Sequence, residues 1–323
     1  MAASRWLLLA LALAAAALAA VAVGTMSIPI SRLLPAIAGT GDPIAVTVIR
    51  TLRVPRVALA ALVGAGLGMS GAALQGTMRN PLAEPYLLGV SGGAAVGAVV
   101  ATVLGFGVVL LPLAAFAGAV AAVLAAFAVA RVAGTRGDPR VLLMAGVVVG
   151  AFANAAIMVA LANAEPNVVR NALWWMMGSV SDATWPQIAV LLAYVAVAGA
   201  ALFVVAPRVD VLALGEDAAA GLGLEVDRAI RGVFMVASLL AAATVAAAGL
   251  VGFVGLVVPH LARGMGVRRT RPLLVASALI GATLVVVADL LGRVLTPPAE
   301  LPLGAVTALI GVPFFLVKLR RLV

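Results

Sequence analysis

His260 is the single histidine of the chain, Lys318 its single lysine, and cysteine is absent. A zinc, iron or copper centre draws on several imidazoles or thiolates, so this inventory gives no metal site. A phosphate loop requires Gly-Lys-Ser/Thr, whereas Lys318 follows Val317, so the chain has no nucleotide-hydrolysing loop of that kind. A serine-histidine hydrolase would depend on His260, beside which no serine motif stands. What remains is charge in unusual places. Arg53-Val54-Pro55-Arg56 and Arg293 flank apolar runs, and five acids (Asp210, Glu216, Asp217, Glu225, Asp227) fall between Arg208 and Arg231. Arg79-Asn80-Pro81-Leu82-Ala83-Glu84-Pro85-Tyr86 carries two prolines that end one helix and delay the next. Guanidinium forks bind carboxylates, and acids at a short helix start favour its dipole. The chemistry on offer is recognition and movement, not bond making.

The elements that must hold these residues are membrane helices. Hydrophobic residues make up 65% of the 323 and charged residues 10%, far from the roughly one quarter charged in soluble domains. Apolar segments near 6–24, 57–77, 87–104, 108–130, 141–163, 186–206, 232–249, 251–262, 272–292 and 303–317 give about ten spans. The first resembles a signal peptide, but its apolar run exceeds a signal core, and it reads as a retained helix. With the amino terminus inside, 15 of the 21 basic residues fall in inner loops and six outside, which puts both termini on the cytoplasmic side. The basic residues sit in short loops with no aromatic interleaving, which argues against nucleic acid. Arg228/Arg231 and Arg263–Arg271 both read as inner, so the chain between them must leave and return, broken near Gly249–Gly252. Arg53-Val54-Pro55-Arg56 and Arg228-Ala229-Ile230-Arg231 precede helices of opposite sidedness, a faint sign of inverted-repeat halves. Of the 12 acids only Asp289 reads as lying within a span, which argues against a proton- or sodium-driven carrier. The fold class is therefore an all-α polytopic membrane protein, one transmembrane domain over 1–323.

Leu74-Gln75-Gly76 followed by Arg79-Asn80-Pro81-Leu82-Ala83-Glu84-Pro85-Tyr86-Leu87-Leu88-Gly89 closely resembles the hinge of the permease subunits of type II ABC importers, the FecCD-type family. Gly252-Phe253-Val254-Gly255-Leu256-Val257-Val258-Pro259-His260-Leu261-Ala262-Arg263 resembles its second hallmark. Arg53-Val54-Pro55-Arg56, and Leu214-Gly215-Glu216 to Gly221-Leu222-Gly223, resemble two more, so four motifs in order span most of the chain. The resemblance implies a homodimer in a bacterial inner membrane, with two cytoplasmic ATPase subunits and a soluble or lipid-anchored binding protein. The cargo would be a ferric siderophore, haem or cobalamin, moved by alternating access. ATP and magnesium would be used by the partners; this chain would bind no cofactor and would not be an enzyme by itself. The alternative class is a stand-alone secondary transporter or channel.

The resemblance also assigns residues. Arg53, Arg56 and Arg293 match arginines that receive acidic residues of the binding protein, the other reading being headgroup anchoring by snorkelling. Leu214, Gly215, Glu216, Asp217, Gly221, Leu222 and Gly223, within the 208–231 cytoplasmic coupling loop, match the segment seated on the ATPase; the alternative is an ordinary solvated loop. Asn80 and Leu82 match the inner gate, with Asp138, Pro139 and Arg140 facing them, although helix-terminating turns would explain the same residues. Small-residue patterns at Gly64–Gly68 and Gly146–Gly150 read as helix packing, the tryptophans Trp174, Trp175 and Trp185 as an interfacial belt, and His260 as structural.

Overall fold

The computed structural model describes residues 2–24, 28–107, 109–132 and 139–319, and no strand occurs among them. In chain order the helices are α1 (Ala2–Ala22), α2 (Ile30–Ala38), α3 (Pro43–Thr47), α4 (Val54–Met78), α5 (Val90–Val103), α6 (Leu111–Val132), α7 (Pro139–Ala162) and α8 (Pro166–Met176). There follow α9 (Trp185–Leu212), α10 (Glu216–Gly221), α11 (Val226–Ala248), α12 (Val254–Gly264), α13 (Thr270–Val294) and α14 (Leu303–Leu319). A π-helical turn, Val48–Arg53, joins α3 to α4.

Each of the ten expected apolar segments contains a helix, but they are not equal. Among the described residues, seven helical runs are long and apolar enough to cross a membrane, whereas Val90–Val103 and Leu303–Val317 are shorter. Helix α12 has 11 residues, about 16 Å at 1.5 Å per residue, half a crossing. Ten is thus an approximate count, as the strongly broken 249–253 stretch foretells.

Helix α4 forms the middle of the bundle, packed against α9, α11, α12 and α13. Its small residues explain this position. A Cβ on Gly64 would lie 2.0 Å from the Gly281 carbonyl oxygen, one on Gly68 2.3 Å from that of Ser277, and one on Gly71 2.0 Å from that of Gly255. Side chains are absent where backbones touch, which lets dispersion contacts replace the hydrophobic drive that lipid does not supply. Rising along α4 from Gly64 to Gly68 descends α13 from Gly281 to Ser277, so those helices run antiparallel. Gly66 meets Thr244, and Ser70 Oγ donates to the Ala237 carbonyl at 2.7 Å, so α11 is antiparallel to α4 as well. Both α4 and α11 lead into a break and a short helix, and their opposite directions are what inverted halves require.

The peripheral helices differ sharply. In the most apolar window of the run ending at Met78, 78% of residues are buried, against 22% in α9 and 17% in α1. Large apolar side chains such as Phe152, Met158, Val197 and Val204 point away from the chain on α7 and α9. Such faces suit lipid or a second membrane chain, not water.

Candidate coupling and docking sites

Helix α4 ends at Arg79, whose φ of +50° is the left-handed conformation that non-glycine residues seldom adopt. Asn80 then uses Oδ1 to accept the Leu82 N–H at 2.9 Å, and the Ala83 N–H donates to the Asn80 carbonyl. This is an Asx turn, the side chain imitating backbone. Leu82 is exposed. Pro85–Leu88 forms a 3-10 turn ended by Gly89, and α5 begins.

The second break lies against the first. Helix α11 stops at Ala248, and the chain passes through Gly249 (φ +70°) to Phe253 (φ +66°) before α12 starts. Irregular backbone at membrane depth must find partners inside the protein, each orphan amide costing several kcal/mol. Here the first hinge supplies them: the Val251 N–H donates to Tyr86 Oη at 3.1 Å and the Phe253 N–H to Glu84 Oε1 at 3.0 Å. A Cβ on Gly255 would come within 2.8 Å of Pro85 Cδ, so the two breaks also pack. Glu84 and Tyr86, quoted in the sequence only as parts of a motif, are thus the acceptors that make the α11–α12 break tenable. An acid set between two prolines was the available signal.

Around the hinge, further polar side chains tie elements together. Gln75 Nε2 donates to the carbonyls of Gly255 and Leu256, and its Oε1 accepts from Arg263 Nη1 at 2.6 Å. Asp210, in the last turn of α9, accepts both the Thr270 N–H (2.9 Å) and its hydroxyl (2.5 Å), capping α13. Beyond Asp210, Gly215 (φ +116°) turns the chain into α10, whose first turn carries Glu216 and Asp217. Helix α10 is the one short helix between α9 and α11. Leu214 and Leu222 are 65% and 67% exposed on this segment, and Gly221 and Gly223 have open space around them. The Arg79 guanidinium lies 3.5 Å from where a Cβ on Gly215 would sit, so the hinge stands beside the loop. Of the remaining gate residues, Asp138 lies outside the described residues. Pro139 and Arg140 open α7, but it is Gly146, further along, whose Cβ would fall 2.3 Å from the Leu87 carbonyl oxygen. His260 Nδ1 is held by the Leu256 carbonyl one turn back, and its ring meets Phe315 edge-on.

At the opposite end of the bundle the three arginines form one cluster. Arg53, 5% exposed, donates through Nη1 to the carbonyls of Val21 and Ala22, both at 2.8 Å. Arg293, 4% exposed, donates to the Ala20 carbonyl at 3.0 Å and pairs with Asp289 at 3.2 Å. The two guanidiniums therefore close the carboxyl end of α1, satisfying carbonyls that have no helical partner and meeting the negative end of the dipole. Snorkelling does not describe them. Arg56 pairs with Asp289 at 2.8 Å and with Glu300 at 2.9 Å, and it is the member of the trio that borders the surface. Asp289, the acid within a span, is compensated from both sides, which is what a buried charge requires. Trp174 and Trp185 are exposed and Trp175 is half-buried near this end, where Leu303 and Gly304 bond back to Gly178 and Met177.

With this geometry in hand, the relatives are informative. Residues 10–321 match the model of the FecCD transport family. A cobalamin import system permease protein of Halobacterium salinarum is 43% identical over 84% of this chain and 73% of its own length. A hemin transport system permease protein of Yersinia pestis is 37% identical, covering 84% of this chain and 82% of its own. Among solved structures, one described as an inward-facing conformation of a metal-chelate type ABC transporter superposes with a TM-score of 0.85 at 27% identity, covering 97% of both chains. Motifs, antiparallel halves and full-length similarity agree: this chain is a multi-pass membrane protein of the FecCD transport family, the permease subunits of type II ABC importers.

Proposed function

We propose that this chain is the translocation subunit through which a metal chelate or cobalamin crosses a bacterial inner membrane by alternating access. Two copies form the pathway, two cytoplasmic ATPase subunits seat on the 208–231 loops, and a soluble or lipid-anchored binding protein delivers cargo to the Arg56 end. Both termini then lie in the cytoplasm. The observation that carries this reading is proximity: the loop bearing Leu214 and Leu222 passes beside the hinge, with the Arg79 guanidinium near Gly215, and its root, Asp210, caps α13. A push on α10 is thereby delivered to the α4 hinge and to a 25-residue rod that ends at the arginine cluster. Asn80, Leu82 and the start of α7 are the moving parts of the inner gate in this scheme. The cargo class follows from relatives that import cobalamin, hemin and, in Escherichia coli, ferric dicitrate.

The direct test is reconstitution of the permease with its ATPase and binding protein, followed by uptake of labelled cobalamin, hemin or ferric citrate. One of these is accumulated only when ATP is inside the accessible compartment; accumulation by the lone chain in ATP-free vesicles would mark a stand-alone carrier instead. Leu222→Asp, at an exposed site that leaves the bundle unchanged, is expected to lower ATP-dependent uptake at least tenfold while the isolated permease keeps its thermal midpoint. Normal uptake by that variant would remove the coupling role from this loop. At the other end Arg56 is the reachable docking residue, with Arg53 and Arg293 adding positive field from beneath. Arg56→Glu should weaken binding-protein capture, most visibly at low ionic strength where charge steering is unscreened.

A further inference from the structure

Arg56 is already engaged by two carboxylates. Its Nε donates to both oxygens of Asp289 at 2.9 and 3.1 Å, while Nη1 and Nη2 donate to the two oxygens of Glu300 at 3.0 and 2.9 Å. A guanidinium presents a planar fork, and each of its donor edges accommodates one carboxylate. The two acids are not equivalent. The Asp289 side chain is 4% exposed, is fixed on α13 and is shared with Arg293. The Glu300 side chain is 39% exposed and stands on the irregular stretch between α13 and α14, and its hydrogen bonds among the described residues go to Arg56 alone. One carboxylate is built in, and the other is removable.

We propose that Glu300 is a placeholder: in the undocked permease it occupies the Nη1/Nη2 edge of Arg56 that an acidic side chain of the binding protein takes on docking. This rests on the reading that Arg56 receives the binding protein, and it concerns how that site is regulated. Docking is then an exchange of one carboxylate for another, not an addition to a vacant arginine. An incoming acid either displaces Glu300 or meets its like charge at close range, a contact that opposes binding. The internal pair lowers docking affinity without altering shape, which allows the binding protein to leave after delivery. It also keeps Arg56 neutralised while no partner is present. With Glu300 swung aside, Arg56 keeps Asp289 as its carboxylate partner among the described residues, and its attraction for a further acid rises.

The experiment uses the full chain in lipid nanodiscs and its purified substrate-binding protein, with dissociation constant and association rate read at several salt concentrations. Glu300→Gln keeps the Arg56–Asp289 pair and is expected to tighten docking by about threefold to fivefold, the scale of a partly exposed ion pair, with a faster and more salt-sensitive association rate. Glu300→Asp, which keeps the charge but shortens its reach, should give a smaller gain, and it serves as the reporter if the Gln variant lowers the thermal midpoint. Unchanged or weaker docking in both variants, while Arg56→Glu abolishes capture, overturns the exchange and leaves Arg56 as a docking residue. If Arg56→Glu leaves capture unaffected, the docking reading falls and the exchange falls with it.

Discussion

Gly71→Ala is expected to prevent accumulation of correctly folded permease. The added methyl carbon would sit 2.0 Å from the Gly255 carbonyl oxygen, 2.6 Å from its carbonyl carbon and 2.7 Å from its Cα. All three are backbone atoms, so no rotamer change relieves the overlap; α4 and α12 must separate. Separation is resisted by Gln75, one turn further on, whose amide binds the Gly255 and Leu256 carbonyls and whose oxygen holds Arg263. It also opens the contact between Gly255 and Pro85 that joins the two breaks. Overpacking of a tight core costs about 1 to 3 kcal/mol, and a backbone-on-backbone overlap belongs at the upper end or beyond. Gly232→Ala is the matching control. Gly232 is exposed within α11 with nothing within 4 Å of its would-be Cβ, so the same change there should stabilise by about 0.5 to 1 kcal/mol through helix propensity. Tryptophan-fluorescence melting and size-exclusion profiles in detergent compare the two; a Gly71→Ala protein that melts with the wild type would show that the α4–α12 crossing is looser than its geometry.

The contrast between those glycines marks how far the sequence could be read. The breaks at Arg79–Gly89 and Gly249–Gly252 were legible because proline and glycine act on the backbone beside them. The small residues of α4 announced close packing, and Gly64, Gly68 and Gly146 do meet backbone, although a Cβ on Gly150 would meet nothing. The oddity of arginines at the Arg56 end was legible too, since topology alone gave no reason for them. Their destinations were not. Arg56 meets Glu300 across 244 positions, and Glu84 meets Phe253 across 169; no local periodicity encodes such a pairing. Phe253 in a left-handed conformation carried no composition signal either. Glu84 shows the limit most plainly. Counted by span position it was a loop acid, whereas in three dimensions it serves the unwound chain of the other half.

That same arrangement yields the second large effect, a local one. The Val251 and Phe253 amides lie between helices, and their acceptors are Tyr86 Oη and Glu84 Oε1. Tyr86→Phe keeps the ring and deletes the oxygen, leaving a buried N–H without its partner at a penalty of about 1 to 3 kcal/mol. Glu84→Leu does the same to the Phe253 amide, whereas Glu84→Gln retains an oxygen that can accept and should be mild. Since 1.4 kcal/mol is a factor of ten, the double variant Glu84→Leu/Tyr86→Phe should raise opening of the 249–253 stretch by about a hundredfold or more. Hydrogen–deuterium exchange followed on a peptide covering those residues reads this directly, with peptides from the middle of α13 as the internal standard. Exchange there is expected to accelerate while α13 stays protected, because its backbone bonds are intrahelical. The consequence for transport follows from where the latch sits. It joins the hinge, whose Arg79 stands beside Gly215 at the start of α10, to the break that begins α12, so a loosened latch lets the ATPase-facing loop move without carrying α12 along. ATP hydrolysis should then continue while uptake falls. Unchanged exchange in the double variant would mean that the two breaks merely adjoin, and that the motion which opens the pathway passes elsewhere.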